Sequence, residues 1–153
     1  MAQPWKTLAT QSTDEGLLEL RQRGARDFLI TVGGLVLMNS LSSRSEVVLG
    51  QLGCQKLNQQ RQPRVLVGGL GMGITLRAVL DALPAEAEVV VAELTPVVVE
   101  WCRGPLAELT DAAVNDLRVQ VEIGDVADLV KRFGNDPSTL FDAVIYDLYK
   151  GPH

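Results

Sequence analysis

The pattern of hydrophobic and polar positions changes its period within this chain. In residues 16–40, apolar side chains alternate with other residues. The alternating apolar positions are Leu18, Leu20, Phe28, Ile30 and Val32. A period of two is typical of strands with one buried face. We therefore predict a small antiparallel meander here.

The segments around this meander follow other patterns. Residues 1–15 are polar and unpatterned, which predicts a loose lead-in. Ser43 and Glu46 have the spacing of a helix capping box, and an apolar stripe follows at Val48, Leu49 and Leu52. We predict a linking helix that completes a first domain of residues 16–57.

From residue 58 onward, short apolar runs alternate with helical patterns. The predicted strands are residues 64–68, 89–93, 118–123 and 141–147. Apolar residues spaced three or four apart mark the helices between them, as at Leu76, Val79 and Leu80. Alternating strands and helices indicate an α/β, Rossmann-like domain over residues 58–153, with a mostly parallel sheet.

The first of these strands runs into a glycine-rich segment, Gly68-Gly69-Leu70-Gly71-Met72-Gly73. Glycine permits a sharp turn and close approach of a ligand to the backbone. Glu93 ends the next strand, where a carboxylate can accept hydrogen bonds from ribose hydroxyls. Together these features predict a nucleoside-cofactor site. The alternatives are a glycine turn that binds nothing and a solvated acid at Glu93.

The spacing of the glycines bears on which cofactor is bound. Dinucleotide sites follow G-x-G-x-x-G, whereas this segment is G-x-G-x-G with Ile74 in place of the last glycine. NAD is therefore disfavoured. The P-loop pattern G-x-x-x-x-G-K-[ST] is absent from the sequence, so nothing supports a nucleotide triphosphatase.

Composition narrows the function further. The 153 residues are 46% hydrophobic, enough for one packed domain and a small appendage. A net charge of −5 without a basic, aromatic-rich cluster disfavours nucleic acid and suits a cationic small molecule. We expect a cytoplasmic protein, because neither a signal pattern nor a membrane-span pattern occurs.

Two residue types limit the chemistry that the chain can perform. The single histidine is His153, so no metal site, catalytic triad or general base built on histidine is expected. Cys54 and Cys102 lack C-x-x-C spacing and lie in predicted helices, and we predict buried free thiols for both.

Taken in order, these segments resemble the spermidine synthase family of aminopropyltransferases, which share the class I S-adenosylmethionine-dependent methyltransferase fold. The resemblance covers residues 17–152. The loop from Gly68 to Gly73 matches the family's G-G-G-D-G-G, and Glu93 matches its ribose-binding acid. Asp125 in Gly124-Asp125 matches the acid that holds the adenine amino group, and residues 141–147 match the strand that ends in D-S-S-D-P.

The resemblance implies a site for S-adenosylmethionine or decarboxylated S-adenosylmethionine, without a metal. Gly68, Gly69, Gly71 and Gly73 would form the cofactor loop. Asp147 would face a small acceptor such as an amine, and Tyr149 would wall its pocket. The alternatives are an N-cap role for Asp125, a loop contact for Asp147 and a packing role for Tyr149.

Two departures from the family pattern fall on the acceptor site. Gly71 replaces the loop aspartate, and Lys150 replaces the second aspartate of D-S-S-D. A cationic acceptor close to Lys150 would meet a repulsion of about 4 kcal/mol at an effective dielectric constant near 20. Aminopropyl transfer, methyl transfer and a non-catalytic adenosyl-binding or assembly role therefore all stay open.

The last predicted strand also has a consequence for assembly. In the family the sheet continues beyond it, so residues 141–147 would form an apolar sheet edge in this chain. Proteins usually cover or pair such edges. We expect the edge to be met by a second copy or by a partner, giving a homo-oligomer in the first case.

Overall fold

The computed structural model describes residues 3–146, apart from the side chain of Ser42. Two compact units divide this range, at Ser43/Arg44. The first unit contains β1 (Lys6–Thr13), β2 (Gly16–Arg23), β3 (Asp27–Val32), β4 (Leu35–Asn39) and a 3-10 helix at Ser40–Ser42. The second contains α1 (Arg44–Cys54), β5 (Arg64–Gly68), α2 (Ile74–Ala82), β6 (Glu88–Glu93), α3 (Pro96–Arg103), α4 (Ala107–Thr110), β7 (Val119–Ile123), α5 (Val126–Gly134) and β8 (Ala143–Tyr146).

The first unit is an antiparallel sheet with the strand order β1-β2-β3-β4. Leu18 lies opposite Val32 and Leu20 opposite Ile30, and all four side chains are buried. Paired residues point to the same face of a sheet, so these side chains form its buried face. The meander predicted from the period of two is confirmed.

The prediction of a loose lead-in over residues 1–15 is wrong, because β1 occupies Lys6–Thr13. Its register runs from Lys6 opposite Gln22 to Thr13 opposite Gly16. Most β1 side chains are exposed, as a strand at the edge of a sheet allows. Backbone pairing with β2 orders this segment, and such pairing requires no alternation of apolar residues.

In the second unit, four parallel strands have the order β7-β6-β5-β8. One face of this sheet packs on α5, through a buried cluster of Leu66, Val90, Ala92 and Leu129. Ile145 of β8 lies opposite Val67, on the alternate face, and contacts α1 at Gly53. Helices therefore cover both faces, as predicted for an α/β fold.

Helix α1 belongs to the second unit, so the predicted domain boundary at residue 57 is wrong. A Cβ added to Gly50 would lie 2.7 Å from the Ala78 Cβ, which shows how closely α1 packs on α2. The predicted apolar stripe is not the buried face, because Val48 and Leu52 are exposed. Glycine allows the two helices to approach closely. The spacing of apolar residues could not predict this buried face, because glycine is part of it.

Arg118 joins the end of α2 to the start of β7. Its guanidinium donates to the carbonyl oxygens of Leu80 at 2.9 Å and Leu83 at 3.2 Å. It also pairs with Asp116 at 3.0 Å, and this hydrogen-bonded pairing lowers the pKa of Asp116 to about 2. The last carbonyl oxygens of a helix lack hydrogen-bond donors within the helix. Arg118 provides such donors at the end of α2.

Candidate functional site

The glycine-rich segment forms a tight turn between β5 and α2. Gly69, Gly71 and Gly73 have φ angles of +92°, +55° and +83°, a region that other residues rarely adopt. The Gly69 N–H donates to the Ala92 carbonyl oxygen at 2.8 Å, and the Gly73 N–H donates to the Leu70 carbonyl oxygen at 2.8 Å. The backbone conformation explains why glycine is needed at these three positions.

Gly68 is glycine for a different reason. A Cβ at this position would lie 2.9 Å from the Val126 Cγ2 atom and 3.4 Å from the Tyr146 Cδ1 atom. Its missing side chain therefore makes room for α5 and for the end of β8. This packing role stands beside the cofactor contact that the sequence predicts for Gly68.

Glu93 is the last residue of β6, and its side chain is only 7% exposed. Its Oε1 atom accepts a hydrogen bond from the Leu70 N–H at 2.9 Å, and its Oε2 atom accepts one from the Thr95 N–H at 2.9 Å. The carboxylate thus connects the glycine loop to the start of α3. The alternative of a solvated acid is wrong, because the side chain is buried and bonded.

Hydrogen-bonding capacity is left over at Glu93 after these two contacts. An ionised carboxylate has about four acceptor positions, and the two backbone amides use two of them. A ligand with two adjacent hydroxyl groups could use the other two. The geometry therefore allows Glu93 to shape the loop and to bind a ligand at the same time.

Asp125 follows β7 and caps α5. Its Oδ1 atom accepts a hydrogen bond from the Ala127 N–H at 2.7 Å, and the side chain is exposed. The neighbouring Gly124 N–H donates to the Glu93 carbonyl oxygen at 3.0 Å, which brings the ends of β6 and β7 together. The N-cap alternative is confirmed, while a ligand role for the same side chain stays a prediction.

Two exposed apolar residues at this edge were not singled out from the sequence. Leu94, directly after Glu93, is 67% exposed, and Ile123, at the end of β7, is 52% exposed. Ile123 lies opposite Glu93 in the strand register. The sequence did contain a signal, since each apolar residue adjoins the end of a predicted strand and is close to a candidate acid. Exposed apolar surface here suits a flat, poorly hydrated group.

Cys102 contacts the glycine loop from α3. Its Sγ–H donates to the Gly71 carbonyl oxygen at 3.2 Å. Burial, with a smaller contribution from the Glu93 charge, raises the pKa of the Cys102 thiol to about 12. The buried free thiols predicted for Cys54 and Cys102 are confirmed. The contact with Gly71 had no signal in the sequence, because it depends on how α3 packs.

The comparison with known protein families identifies the fold around this site. A family model described as the spermine/spermidine synthase domain matches residues 46–153. The chain belongs to this family. The match includes the glycine loop, Glu93 and Asp125, and the resemblance stated from the sequence is confirmed.

Proteins that are similar to this chain support that assignment. A polyamine aminopropyltransferase from Clostridium tetani (strain Massachusetts / E88) is 37% identical over 84 residues, which is 55% of this chain and 28% of that protein. The spermidine synthase structure from Thermotoga maritima matches with a TM-score of 0.74 and 20% identity over 96% of this chain and 48% of its own. A spermidine synthase in complex with the transition state analogue AdoDATO has a TM-score of 0.72 and 21% identity, over 93% and 47% of the two chains. The chain thus spans about half the length of these structures and less than a third of the curated relative.

The residues of the predicted acceptor site are outside the part of the chain that the structure describes. Asp147, Tyr149 and Lys150 are outside the described residues. Within residues 3–146, no group of three or more His, Cys, Asp or Glu side chains could hold a metal ion. No helix in the same range is long and apolar enough to cross a membrane.

Within the described residues, the candidate site consists of the glycine loop, Glu93, Asp125 and the apolar pair Leu94 and Ile123.

Proposed function

We propose that this chain binds the adenosyl part of S-adenosylmethionine or decarboxylated S-adenosylmethionine at the carboxyl edge of β5, β6 and β7. The observation that carries this proposal is the buried Glu93 carboxylate, held beside the glycine loop by the Leu70 and Thr95 amides. Its two further acceptor positions suit the two ribose hydroxyls. The loop turns sharply at Gly69, Gly71 and Gly73, which allows a ligand to approach the backbone.

The adenine base would lie at the neighbouring strand ends. The Asp125 carboxylate would accept a hydrogen bond from the exocyclic amino group of adenine while it caps α5. Leu94 and Ile123 would offer apolar surface to the faces of the ring, and their present exposure supports this role. Burying such side chains against a flat ligand would contribute to affinity at about 25 cal/mol per Å² of apolar surface.

The reaction we propose is aminopropyl transfer from the decarboxylated donor to a small amine. Family membership and the name of the Clostridium tetani relative support this choice. The acceptor nitrogen would attack the aminopropyl carbon that is bonded to the sulfonium sulfur. The new C–N bond forms as the C–S bond breaks, and the thioether 5′-methylthioadenosine leaves.

The protein's part in this step would be alignment and removal of a proton. Holding the nucleophile in line with the breaking bond accounts for much of the rate of such displacements. An amine attacks only when it is neutral, so a base must take its proton. We assign that role to Asp147, with Tyr149 beside the acceptor.

A non-catalytic adenosyl-binding or assembly protein is the second candidate. The observation that favours it is Gly71, which stands where the family loop has an aspartate and has a φ of +55°. Methyl transfer from S-adenosylmethionine is the other outcome that the proposed adenosyl site allows.

A transfer assay on the intact chain separates these candidates. Decarboxylated S-adenosylmethionine and S-adenosylmethionine would each be incubated with putrescine, spermidine and other small amines, and the nucleoside products measured by mass spectrometry. Release of 5′-methylthioadenosine, lost in Asp147→Asn, supports aminopropyl transfer. Calorimetric binding of either cofactor without turnover in this assay favours the non-catalytic role, and absence of binding overturns the proposal.

A further inference from the structure

We propose that Cys102 is a positioning residue for the glycine loop. Through the hydrogen bond from its thiol to the Gly71 carbonyl oxygen, it holds the loop in the shape that a ligand beside Glu93 would meet. The identity of that ligand rests on the proposed function, whereas the effect on the loop does not.

One hydrogen bond and close packing place the Cys102 thiol against the loop. The Sγ atom is 3.2 Å from the Gly71 carbonyl oxygen, and it would lie 3.8 Å from a Cβ built on Gly73. The side chain is only 2% exposed, so water does not compete for the Gly71 carbonyl at this point. Burial also raises the pKa of this thiol to about 12, which keeps the proton that the hydrogen bond requires.

The loop is held from the same direction at a second point. Glu93 precedes α3 and accepts from the Leu70 N–H, while Cys102 lies in the last turn of α3 and donates to the Gly71 carbonyl oxygen. Two successive loop residues are therefore bonded to one continuous β6–α3 segment. The two bonds hold the peptides on either side of the Leu70–Gly71 peptide, which limits how far this part of the loop can turn.

Removing the thiol would leave a buried carbonyl oxygen without this donor. An unpaired buried polar group is unfavourable, and glycine can rotate to find another partner more easily than other residues can. We expect the Gly71 peptide to turn, which weakens the neighbouring bonds from the Leu70 and Gly73 amides. The loop would then sample conformations that do not fit a ligand held by Glu93.

Cys102→Ala and Cys102→Ser test this role, because the two variants differ by a single hydroxyl donor. Cys54→Ala is the matched control, since Cys54 is a second buried free thiol, at the end of α1. Amide hydrogen exchange of Leu70 and Gly73 would be measured by NMR in the free protein, and affinity for 5′-methylthioadenosine by calorimetry. Should Cys102→Ala not fold, Cys102→Val and Cys102→Thr form a second pair without and with a donor.

For Cys102→Ala we expect exchange at both amides to accelerate, and affinity to fall, by about threefold to tenfold. Cys102→Ser should restore both values, and Cys54→Ala should change neither. Equal behaviour of Cys102→Ala and Cys102→Ser would mean that the thiol only fills space, and would overturn the proposal. If the variants show the expected differences in exchange but the wild-type chain binds no adenosyl ligand, the proposed function fails and the role of Cys102 in the loop is supported.

Discussion

The Leu70 N–H donates to the Glu93 Oε1 atom at 2.9 Å, although 23 residues separate the two along the chain. This bond makes the acid at the end of β6 part of the glycine loop. A substitution at Glu93 therefore changes the loop as well as any ribose contact. Measurements of ligand binding at this site are best accompanied by measurements of the loop amides.

Asp125 is expected to serve both as a helix cap and as a ligand contact, and two substitutions separate these roles. Asp125→Ala should lower the free energy of unfolding by about 1 kcal/mol, because the Ala127 N–H loses its acceptor. Asp125→Asn should keep the cap but weaken adenosyl affinity about tenfold, since its amide N–H₂ would face the adenine amino group. Chemical denaturation and calorimetry measure the two effects.

The control for Asp125 is Asp136→Ala, since Asp136 caps the 3-10 helix at Pro137–Thr139 through the Ser138 N–H at 2.9 Å. This variant should lose stability without losing affinity. If Asp125→Asn binds the ligand as tightly as the wild type, Asp125 is a cap alone.

Close packing of α1 on α2 predicts that Gly50→Ala destabilises the protein. Alanine is normally favoured over glycine inside a helix by about 1 kcal/mol. Here its Cβ would lie 2.7 Å from the Ala78 Cβ and 3.0 Å from the Thr75 carbonyl oxygen. We expect a net loss of about 1–3 kcal/mol in the free energy of unfolding.

Gly134→Ala, at the end of α5, is the matched substitution. Nothing lies within 4 Å of its added Cβ, so stability should be unchanged or rise by about 0.5 kcal/mol. Equal effects of Gly50→Ala and Gly134→Ala in urea denaturation would show that α1 does not pack on α2 as described.

The Asp116–Arg118 pair predicts a specific dependence of stability on pH. The pKa of Asp116 is lowered from 3.8 to about 2, chiefly by the side-chain hydrogen bond from Arg118. A lowered pKa in the folded state contributes stability above the unfolded value, and this contribution is lost as the pH falls from about 4 towards 2. With allowance for partial solvent screening, Asp116→Asn should lower the free energy of unfolding by about 1–2 kcal/mol at pH 7.

Urea denaturation at pH 7, 5, 4 and 3 measures this effect, and the difference between the variant and the wild type should shrink below pH 4. Asp81→Asn is the control, because Asp81 forms a more exposed pair with Arg77 and should contribute about 0.5 kcal/mol or less. A difference at Asp116 that stays constant down to pH 3 would contradict the assigned cause.

The β8 edge predicts association with a second copy of the chain. Within the described residues, β8 pairs with β5 on one side and with no strand on the other, and Val144 and Tyr146 are exposed. Val144→Lys should shift a dimer towards monomer in sedimentation velocity, because charge opposes strand pairing at an edge. Gln120→Lys, on the opposite edge strand, should have no such effect. A monomeric wild type at all accessible concentrations would rule out this association.

The sequence was sufficient for those features that depend on neighbouring residues. The turn at Gly69, Gly71 and Gly73 and the acid at Glu93 are local patterns, and the described structure has both. The polar strand β1 was missed because its order comes from pairing with β2 rather than from its own side chains. The contact between Cys102 and Gly71 joins two elements, so no local pattern could predict it.

Calorimetric titration of the intact chain with decarboxylated S-adenosylmethionine, S-adenosylmethionine and NAD tests the central claim most directly. A sulfonium ligand should bind and NAD should not. Glu93→Gln should weaken that binding at least tenfold. Glu88→Gln, at the amino end of the same strand, should leave it unchanged. Absence of sulfonium binding, or equal affinity in wild type and Glu93→Gln, would contradict an adenosyl site at Glu93.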